Sequence, residues 1–571
     1  MEADLDKHIP DVHYLSRESS FAEKHPEGFM REHAFGRYIE SRQDDPQVSL
    51  TLDPKVVSKV VEEDSGTEKT GFSNSLVSSN NFINYCATVP LPLTNGSRFL
   101  ENGSCNPAPI GSIPAAGFIS STKFKFPVNR GTLAKGVPFL IQLTVNLQGL
   151  DTNTAINDAT SYQAAPQQLD SSGLIKRDTF IVLEALSTID QTTVPNPLSF
   201  NFIASRFLSP PFLSFNVIEG LQEGVYRLSS VTRGMNFQSS IVFPVVDHGA
   251  IDDAIYFTVT ADGKPSTKVK RSIDINNPIF ARQTGNTTTS ISNSAAQSST
   301  TLLVSQIATA FASDGQNKTL NDQSPSSQTS PSLTSRNNFI NYCLTVPASL
   351  TNGQQRRGSG GPSCNPIPIG AIPAISAIPA FKFIRPGNFD RLDPGKPFLI
   401  ILNYKNMVIS MTDPDTRYLS APQRLDSNGM IRGYARVVIE ALTSLDQTNP
   451  TDPTRIAYAS PLTDQDGTGT LVTNATSGLP VGFYRLSSVA LTENHYPVAL
   501  PVDAHGAIND IIYFQVGDGG SGSTAANSII ITANGQPTSL PVGIPFLWIK
   551  GVNLPIYFLD SPGSRRWFTR K

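Results

Sequence analysis

The chain has 571 residues, of which 39% are hydrophobic and 16% are charged, and its formal net charge is −3 at pH 7. This length allows two or more cores of ordinary size. The small net charge gives no overall field to attract nucleic acid or an anionic membrane, so no nucleic-acid partner is predicted. The charged fraction lies below the roughly 25% of an average soluble protein, which is typical of extracellular β proteins.

The chain begins with a polar extension, residues 1–71, that we expect to be disordered. Asp, Glu, Lys, Arg and His crowd this stretch, and few apolar side chains are available to build a core. The short apolar run that a secretory signal needs is not visible there.

Two long parts of the chain share a series of phrases in the same order and with matching spacing, which predicts a duplicated domain. Residues 80–86 (Asn-Asn-Phe-Ile-Asn-Tyr-Cys) return as residues 337–343, and residues 104–107 (Ser-Cys-Asn-Pro) return as residues 363–366. Residues 224–231 likewise correspond to residues 482–489. We place repeat 1 at residues 72–262 and repeat 2 at residues 333–519.

Inside each repeat, short apolar runs are bounded by Gly, Pro and Asn, which indicates strands and turns rather than long helices. Repeat 1 has such runs at residues 138–145, 180–186, 226–231 and 255–259, and repeat 2 has counterparts to all four. With Pro confined to turns and edges, the pattern predicts an all-β protein made of two tandem antiparallel β-sandwich domains.

The segments outside the repeats have different compositions. Residues 263–332 are rich in Ser, Thr and Asn, which predicts a flexible linker. Residues 520–571 are expected to form an irregular tail. Part of that tail is fairly apolar, but Pro541, Pro545 and Pro555 interrupt it, so no membrane span is predicted.

The four cysteines fall two in each repeat, Cys86 with Cys105 and Cys343 with Cys364. Four cysteines allow three pairings, but their equal placement favours one disulfide inside each repeat over buried free thiols. Disulfides indicate maturation in an oxidising compartment, and we therefore expect an extracellular or cell-wall location. Glycosylation candidates for a secreted chain are Asn95, Asn102, Asn286, Asn317 and Asn474.

A polar cluster before the last strand of each repeat is the main candidate for a ligand or metal site. Its members are Asp247, His248, Asp252 and Asp253 in repeat 1 and, in repeat 2, His495, Asp503, His505 and Asp510. Imidazole and carboxylate groups could bind a divalent metal or act as acid and base. We favour a structural turn instead, in which Asp accepts backbone N–H bonds and Gly supplies a positive φ.

The pairs Tyr226-Arg227 and Tyr484-Arg485 occupy successive positions of a predicted strand in each repeat. Successive side chains point to opposite faces of a sheet, so one member of each pair is expected to face solvent. The arginine could hold a carboxylate or a sugar hydroxyl, although packing along the sheet surface is the interpretation that we favour.

Both repeats resemble a family of secreted fungal proteins of unknown function. The resemblance depends on the Asn-Phe-Ile-Asn-Tyr-Cys, Ser-Cys-Asn-Pro, Ala-Pro-Gln and His-Gly phrases, and it implies secretion. That family carries a Gly-His-x-His-Val phrase and an Asn-His-Gln-Pro phrase. In place of the Gly-His-x-His-Val phrase, repeat 2 has residues 433–437 (Gly-Tyr-Ala-Arg-Val). The Asn-His-Gln-Pro phrase is kept only in part, as residues 494–497 (Asn-His-Tyr-Pro) of repeat 2. These departures count against a catalytic histidine site.

The sequence contains no phosphate-cradling Gly-rich loop, no Gly-x-Ser-x-Gly elbow and no His-Glu-x-x-His pair, and no cofactor is predicted. We therefore predict a non-catalytic, secreted or wall-associated fungal protein that binds cell-wall polysaccharide or an extracellular protein. The alternative is a metal-assisted hydrolase or oxidase centred on His495, Asp503 and His505.

Overall fold

The computed structural model describes residues 48–58, 78–93, 104–106, 111–115, 119, 121–145, 150–151, 166–170, 172–205, 212–234, 242–243, 248–264, 279–282, 298–309, 329–330, 333, 335–346, 348–350, 363–365, 369–412, 421–462, 469–502, 505–517, 529–533 and 536–540. Strands dominate this part of the chain. Its helical elements are single 3-10 turns at Pro54–Val56, Tyr85–Thr88, Val304–Gln306, Tyr342–Leu344 and Ile375–Ala377. The prediction of an all-β fold is confirmed.

Repeat 1 is built from two sheets and a small hairpin. Its strands, with one that follows it, are β1 (Ser104–Asn106), β2 (Gly111–Ile113), β3 (Thr122–Phe126), β4 (Thr132–Ala134), β5 (Phe139–Val145), β6 (Leu150–Asp151), β7 (Ile175–Leu186), β8 (Phe202–Ser205), β9 (Phe212–Val217), β10 (Gly224–Gly234), β11 (Ala254–Thr260) and β12 (Ile279–Arg282). The large sheet has the order β12-β8-β7-β10-β11-β4, with β6 beside β7, and the small sheet has the order β3-β5-β9.

Repeat 2 has the same arrangement. The remaining strands are β13 (Thr329–Ser330), β14 (Ser349–Leu350), β15 (Ser363–Asn365), β16 (Gly370–Ile372), β17 (Ala380–Arg385), β18 (Arg391–Leu392), β19 (Phe398–Lys405), β20 (Met407–Ile409), β21 (Met411–Thr412), β22 (Ile431–Leu442), β23 (Tyr458–Leu462), β24 (Thr470–Ala475), β25 (Gly482–Thr492), β26 (Ile511–Val516), β27 (Ile529–Ala533) and β28 (Gln536–Leu540). The large sheet runs β18-β26-β25-β22-β20, with β23 beside β22, and the small sheet runs β17-β19-β24.

Each repeat encloses an apolar core between its large and small sheets. In repeat 1, Leu183 and Leu228 lie opposite each other in the register of β7 and β10, and they pack with Phe124 and Leu143 from the small sheet. The long strands pair antiparallel, and short parallel pairings occur at the edges, such as β4 with β11 and β18 with β26.

The large sheets of the two repeats pack against each other by their outer faces. Leu186, Val225 and Tyr256 of repeat 1 share one buried cluster with Ile511 and Tyr513 of repeat 2. Strand β10 lies in the middle of the large sheet of repeat 1. One face of this sheet covers the repeat 1 core and the other face packs against repeat 2, so ten of the eleven residues of β10 are buried. The two sandwiches therefore form four stacked layers.

Two segments outside the repeats cross between them. Residues 48–58 and 298–309 meet as a short antiparallel pair at Thr51 and Thr301, and Leu52 N donates to the Thr300 carbonyl. Leu52 and Leu302 are both 1% exposed, in one apolar cluster with residues of both repeats.

Residues 48–58 of the predicted extension and residues 298–309 of the predicted linker are therefore packed against the repeats. Both segments contain several apolar residues, among them Leu52, Val56 and Leu302, and burying these side chains offsets the entropy of ordering the segments. Strand β12, in the same linker, extends the large sheet of repeat 1 by pairing with β8. In the predicted irregular tail, β27 and β28 form an antiparallel hairpin.

Each repeat contains one disulfide, as predicted. Cys86 joins Cys105 and Cys343 joins Cys364, and the Cα atoms are 5.7 Å apart in both pairs. Each disulfide connects the end of the Asn-Asn-Phe-Ile-Asn-Tyr-Cys phrase to the first strand of a hairpin, β1 in repeat 1 and β15 in repeat 2. In the part of the chain that the structure describes, we find no helix with the length and apolarity needed to cross a bilayer.

Candidate functional site between the repeats

The His-Gly-Ala loop of each repeat docks against the other repeat. Gly249 N donates to the Pro453 carbonyl at 2.7 Å, and Gly506 N donates to the Pro197 carbonyl at 2.6 Å. Ala250 N donates to Glu440 Oε2 at 3.2 Å. The most suggestive polar motif of the sequence is therefore a reciprocal contact between the two halves of the molecule.

The glycine of this motif is required for space. A Cβ atom on Gly249 would lie 2.4 Å from Glu440 Oε1, and one on Gly506 would lie 2.7 Å from Glu184 Oε1. Neither glycine has a positive φ, so the expected positive-φ turn is wrong. Glycine is needed here because a glutamate carboxylate of the other repeat leaves no room for a side chain.

Asp253 and Asp510 form ion pairs that cross the interface. Asp253 Oδ1 accepts from Lys123 Nζ at 3.0 Å, from Arg485 Nη1 at 3.1 Å and from the Tyr513 hydroxyl at 2.7 Å. Its Oδ2 accepts from Phe124 N at 2.9 Å. Lys123 belongs to repeat 1 and the other two side chains belong to repeat 2, so this carboxylate binds the two repeats together.

Asp510 has the mirror-image set of partners. Its Oδ1 accepts from Lys382 Nζ at 3.0 Å, from Arg227 Nη1 at 2.9 Å and from the Tyr256 hydroxyl at 3.0 Å. Its Oδ2 accepts from Phe383 N at 3.0 Å. Burial alone would raise the pKa of Asp510, but the charges of Lys382 and Arg227 hold that pKa below its usual value.

The same reasoning applies to Asp253, whose pKa is lowered by Lys123 and Arg485 against the opposing effect of burial. Both carboxylates are ionised and accept four hydrogen bonds, which occupies their lone pairs. The predicted ligand or metal role of Asp253 and Asp510 therefore gains no support from their contacts. Their residue types and spacing reflect a buried network between repeats.

Arg227 and Arg485 are fully buried, and so are their neighbours Tyr226 and Tyr484. The expectation that one of each pair faces solvent is wrong, because the outer face of the sheet is covered by the other repeat. Arg227 forms an ion pair with Glu184 at 2.7 Å, and Arg485 forms one with Glu440 at 2.7 Å. Each arginine also donates to a carbonyl of the opposing His-Gly-Ala loop.

A cavity of about 120 Å³ lies between the repeats, and several of the predicted residues line it. Its polar lining comes from both halves: Ser230, Thr232, His248 and Asp252 from repeat 1, and Arg436, Ser488, His505 and Asn509 from repeat 2. Apolar walls are provided by residues such as Val231, Val489 and Pro497. Asp252 accepts from Thr232 at 2.8 Å and from Ser230 at 3.1 Å.

The two loop histidines have matching environments. In each, Nδ1 lies 2.7 Å from the carbonyl of the next glycine, Gly249 or Gly506. A carbonyl only accepts, so Nδ1 carries a proton and donates. The ring of His248 packs edge-on against Phe243 at 5.0 Å, and that of His505 packs against Phe180 of the other repeat at 5.7 Å.

His495 lies apart from this cavity. Its Nδ1 is 2.7 Å from the Tyr434 hydroxyl, and its side chain is fully buried against that ring. The neighbouring Glu493 is paired with Arg424 and Arg432. His495 is not among the residues that line the cavity with His505.

Asp247 and Asp503 lie outside the described residues. Among the residues that the structure does describe, no group of three or more His, Cys, Asp or Glu side chains is arranged to hold a metal ion. The predicted metal centre on His495, Asp503 and His505 gains no support from this arrangement.

The sequence reasoning missed Lys123, Lys382, Glu184, Glu440, Tyr256 and Tyr513, which complete the two buried networks. One signal was available for the glutamates. Glu184 and Glu440 stand at the same place in the C-terminal halves of β7 and β22, residues 180–186 and 437–442, where every other residue is apolar. A charge kept in both copies at such a position indicates a buried partner.

Of the predicted glycosylation sites, only Asn474 lies in the described part of the chain. It is exposed on β24. Asn95, Asn102, Asn286 and Asn317 lie outside the described residues.

Comparison with known proteins gives similarity to fungal pathogenicity-cluster proteins. The CLU5d N-terminal domain family matches residues 122–260 and again residues 381–517. "Pathogenicity cluster 5 protein d" of Colletotrichum graminicola is 34% identical over 183 residues, which is 32% of this chain and 37% of that protein. The chain thus covers little more than a third of that relative's length.

Solved structures resemble the chain only weakly. The fibronectin(III)-like modules of CbhA from Clostridium thermocellum cover 69% of this chain and 93% of their own, at 8% identity and a TM-score of 0.13. The two tandem V-type regions of VCBP3, a v-region-containing chitin binding protein, cover 70% and 99%, at 8% identity and a TM-score of 0.16. The sequence match therefore carries the relationship: residues 122–260 and 381–517 are each similar to one fungal domain family.

Proposed function

We propose that this chain is a non-catalytic binding protein, secreted or wall-associated, whose two repeats act as one rigid body. The observation that carries this proposal is that the buried charged residues of the two repeats form ion pairs with each other. Arg227 pairs with Asp510 and Arg485 pairs with Asp253 across the interface. The space left between the repeats combines apolar walls with hydrogen-bonding side chains from both halves.

Besides hydroxyl and amide groups, the lining of the cavity carries both an acidic side chain, Asp252, and a basic one, Arg436, so it has no strong excess of one charge and suits a neutral polar group such as a sugar ring. Hydroxyl and amide side chains both donate and accept hydrogen bonds, as sugar hydroxyls do. Its volume of about 120 Å³ is small beside the 300–1,000 Å³ typical of pockets that enclose a drug-sized ligand. It would therefore hold one sugar unit of a longer chain, and cell-wall polysaccharide is the ligand class that we infer.

An extracellular location is supported by two features. Disulfides persist in oxidising compartments, and both disulfides lie in the interior of their repeats. Asn474, in an Asn-Ala-Thr sequon, is exposed and available for glycosylation on export.

The proposal is tested by retention of the full-length chain on chitin, on β-glucan and on whole fungal walls. Asp252→Asn is the cavity variant, because Asn509 already fills the corresponding place in repeat 2. Asp262→Asn is the matched control, since Asp262 is 59% exposed and its carboxylate contacts the side chain and the backbone N–H of the nearby Lys264.

We expect wild type and Asp262→Asn to be retained equally on at least one material, and Asp252→Asn to be retained at least about tenfold less. Negligible retention of the wild type on all three materials would remove the binding proposal. Equal retention of both variants would place the binding site away from the cavity.

A further inference from the structure

We propose that the Asn-Asn-Phe-Ile-Asn-Tyr-Cys motif of each repeat is a clamp for an extended peptide of the pattern Ser-x-Thr-Leu, and that this clamp also accepts such a peptide from another chain. Each clamp is occupied here by one of the two crossing segments. The ligand class is thus an extended Ser/Thr-rich backbone with one leucine anchor.

The clamp of repeat 2 holds residues 49–53 through their backbone. Asn337 Nδ2 donates to the Ser49 carbonyl at 2.6 Å, and Asn341 Nδ2 donates to the Thr51 carbonyl at 3.0 Å. Asn341 Oδ1 accepts from Asp53 N at 2.8 Å. Two asparagines therefore read two alternate carbonyls and one N–H, which fixes the peptide in an extended form.

The clamp of repeat 1 makes the same contacts with a different part of the chain. Asn80 Nδ2 donates to the Ser299 carbonyl at 2.6 Å, and Asn84 Nδ2 donates to the Thr301 carbonyl at 2.9 Å. Asn84 Oδ1 accepts from Leu303 N at 2.8 Å. Two separate clamps thus bind two separate peptides by one pattern, which is the behaviour of a recognition site.

The two bound peptides share side chains at three positions only. Ser49 matches Ser299, Thr51 matches Thr301, and Leu52 matches Leu302, whereas Asp53 stands where the other peptide has Leu303. In both, the serine hydroxyl lies 3.2 Å from the threonine N–H and carbonyl and holds the peptide extended. The leucine side chains are 1% exposed and provide the anchor.

The clamps are held in an uncommon backbone conformation. Asn338 and Phe339 have φ values of 55° and 63°, and Asn81 and Phe82 have values of 55° and 60°. A positive φ on phenylalanine is strained, and such strain is concentrated at binding sites. The strained turn is what aims Asn337 and Asn341 at the same peptide.

The bound segments are shared between repeats in a reciprocal way. Residues 49–53 sit on repeat 2, whereas Val56 O accepts from Asn81 Nδ2 of repeat 1 at 2.7 Å. Residues 299–303 sit on repeat 1, whereas Gln306 O accepts from Asn338 Nδ2 of repeat 2 at 2.6 Å. The contacts are made to main-chain groups, as in strand addition, so a peptide with the same anchor can replace either segment.

The test uses the full-length chain and a fluorescent synthetic peptide with the sequence of residues 48–58. In the wild type the chain's own segment competes at an effective concentration in the millimolar range. Leu52→Asp removes the internal anchor and should expose the clamp of repeat 2. We expect anisotropy to show at least tenfold tighter peptide binding to Leu52→Asp than to wild type.

Two controls isolate the clamp. In the Leu52→Asp background, Asn341→Ala removes two of the three main-chain contacts and should weaken peptide binding at least tenfold, whereas Asn428→Ala, in an exposed turn, should leave it unchanged. A peptide with Asp at the position of Leu52 should not bind. Circular dichroism and melting verify folding, and Leu52→Ala serves as the milder release variant.

Equal peptide binding by Leu52→Asp and its Asn341→Ala derivative would overturn the proposal, as would no binding by a release variant that is folded. Neither result depends on the polysaccharide cavity, so the outcome is independent of the retention experiment.

Discussion

Glu184 and Glu440 are equivalent residues of β7 and β22, yet only Glu440 has both carboxylate oxygens satisfied. Glu440 Oε1 accepts from the Thr451 hydroxyl at 2.7 Å, whereas Glu184 Oε1 is buried with no hydrogen-bond partner. Thr451 stands two residues before Pro453 in repeat 2, and Pro195 stands at the equivalent place before Pro197 in repeat 1. A proline side chain cannot donate a hydrogen bond to the glutamate. Burial raises the pKa of Glu184, although Arg227 opposes this effect.

This difference predicts opposite responses to two substitutions. Thr451→Val should lower the free energy of unfolding by about 1–3 kcal/mol, because it leaves a buried carboxylate oxygen unsatisfied. Pro195→Thr should leave it unchanged or raise it by up to about 1 kcal/mol, because the new hydroxyl can reach Glu184. Urea unfolding of both variants measures the effect. A Thr451→Val variant with the same free energy of unfolding as the wild type would contradict this prediction.

The buried Lys123 predicts a dependence of stability on alkaline pH. Its Nζ is surrounded by Asp253, Tyr513, Arg485 and Glu440, and burial lowers the pKa of Lys123 to about 8, although Asp253 acts to raise it. An unfolded lysine titrates near 10.4. Between these values Lys123 binds more protons in the unfolded chain than in the folded chain, so its contribution to the free energy of unfolding rises with pH.

The expected slope from this group is at most about 1.4 kcal/mol per pH unit. Urea unfolding between pH 8 and 10, at fixed ionic strength, should show a steeper rise for the wild type than for Lys123→Met. All four cysteines are paired, so no free thiol is present to exchange at these pH values. Coinciding slopes would show that Lys123 does not titrate there.

At the scale of elements, the strands were largely predictable from the sequence and the contacts between them were not. The run predicted at residues 180–186 lies inside β7 (Ile175–Leu186), and the run at 255–259 lies inside β11 (Ala254–Thr260). Alternating apolar residues and Gly or Pro boundaries are local signals, and they identify a strand wherever its partner lies.

The site depended on long-range pairing, which leaves little local signal. The His-Gly loops were singled out, but their partner Glu440 lies far away in the sequence and joins Gly249 only after both repeats have folded. The crossing segments were missed for a related reason. Leu52 is buried and Thr51 is held through contacts with the asparagines and apolar side chains of a distant clamp, which the local sequence does not show.

The His-Gly-Ala loops give a prediction for two glycines. Gly249→Ala and Gly506→Ala should each lower the free energy of unfolding by about 1–3 kcal/mol, since the added methyl group would overlap a buried glutamate oxygen. Gly249→Ala should be the more severe, because its approach of 2.4 Å is closer than the 2.7 Å at Gly506.

Gly173→Ala is the control for these variants. Nothing lies within 4 Å of the added atom there, and the cost comes only from its φ of +80°, about 1 kcal/mol. Thermal and urea unfolding measure all three. If Gly249→Ala and Gly506→Ala are as stable as the wild type, the interface between the repeats must adjust to accommodate the added methyl groups at little cost.

At the scale of the whole molecule, the two repeats share one interior. Each of the buried aspartates Asp253 and Asp510 has cationic partners in both repeats, and the tyrosines Tyr256 and Tyr513 contact the carboxylate of the opposite half. An isolated repeat would leave Arg227 or Arg485 without its cross-repeat aspartate. Breaking a buried ion pair in this way costs about 3–5 kcal/mol.

This shared interior predicts that the full chain unfolds in a single cooperative transition, although it contains two repeats of domain size. When one half unfolds, the other loses its ion pairs, its docked His-Gly-Ala loop and its crossing segment, so a half-folded state is strongly disfavoured. Differential scanning calorimetry should give a calorimetric enthalpy equal to the van't Hoff enthalpy of the whole chain. Asp510→Ala should lower the transition temperature of both repeats together, because Arg227 and Lys382 both lose their carboxylate. Two resolved transitions in the wild type, with only one of them shifted by Asp510→Ala, would show that the halves are independent domains that merely touch.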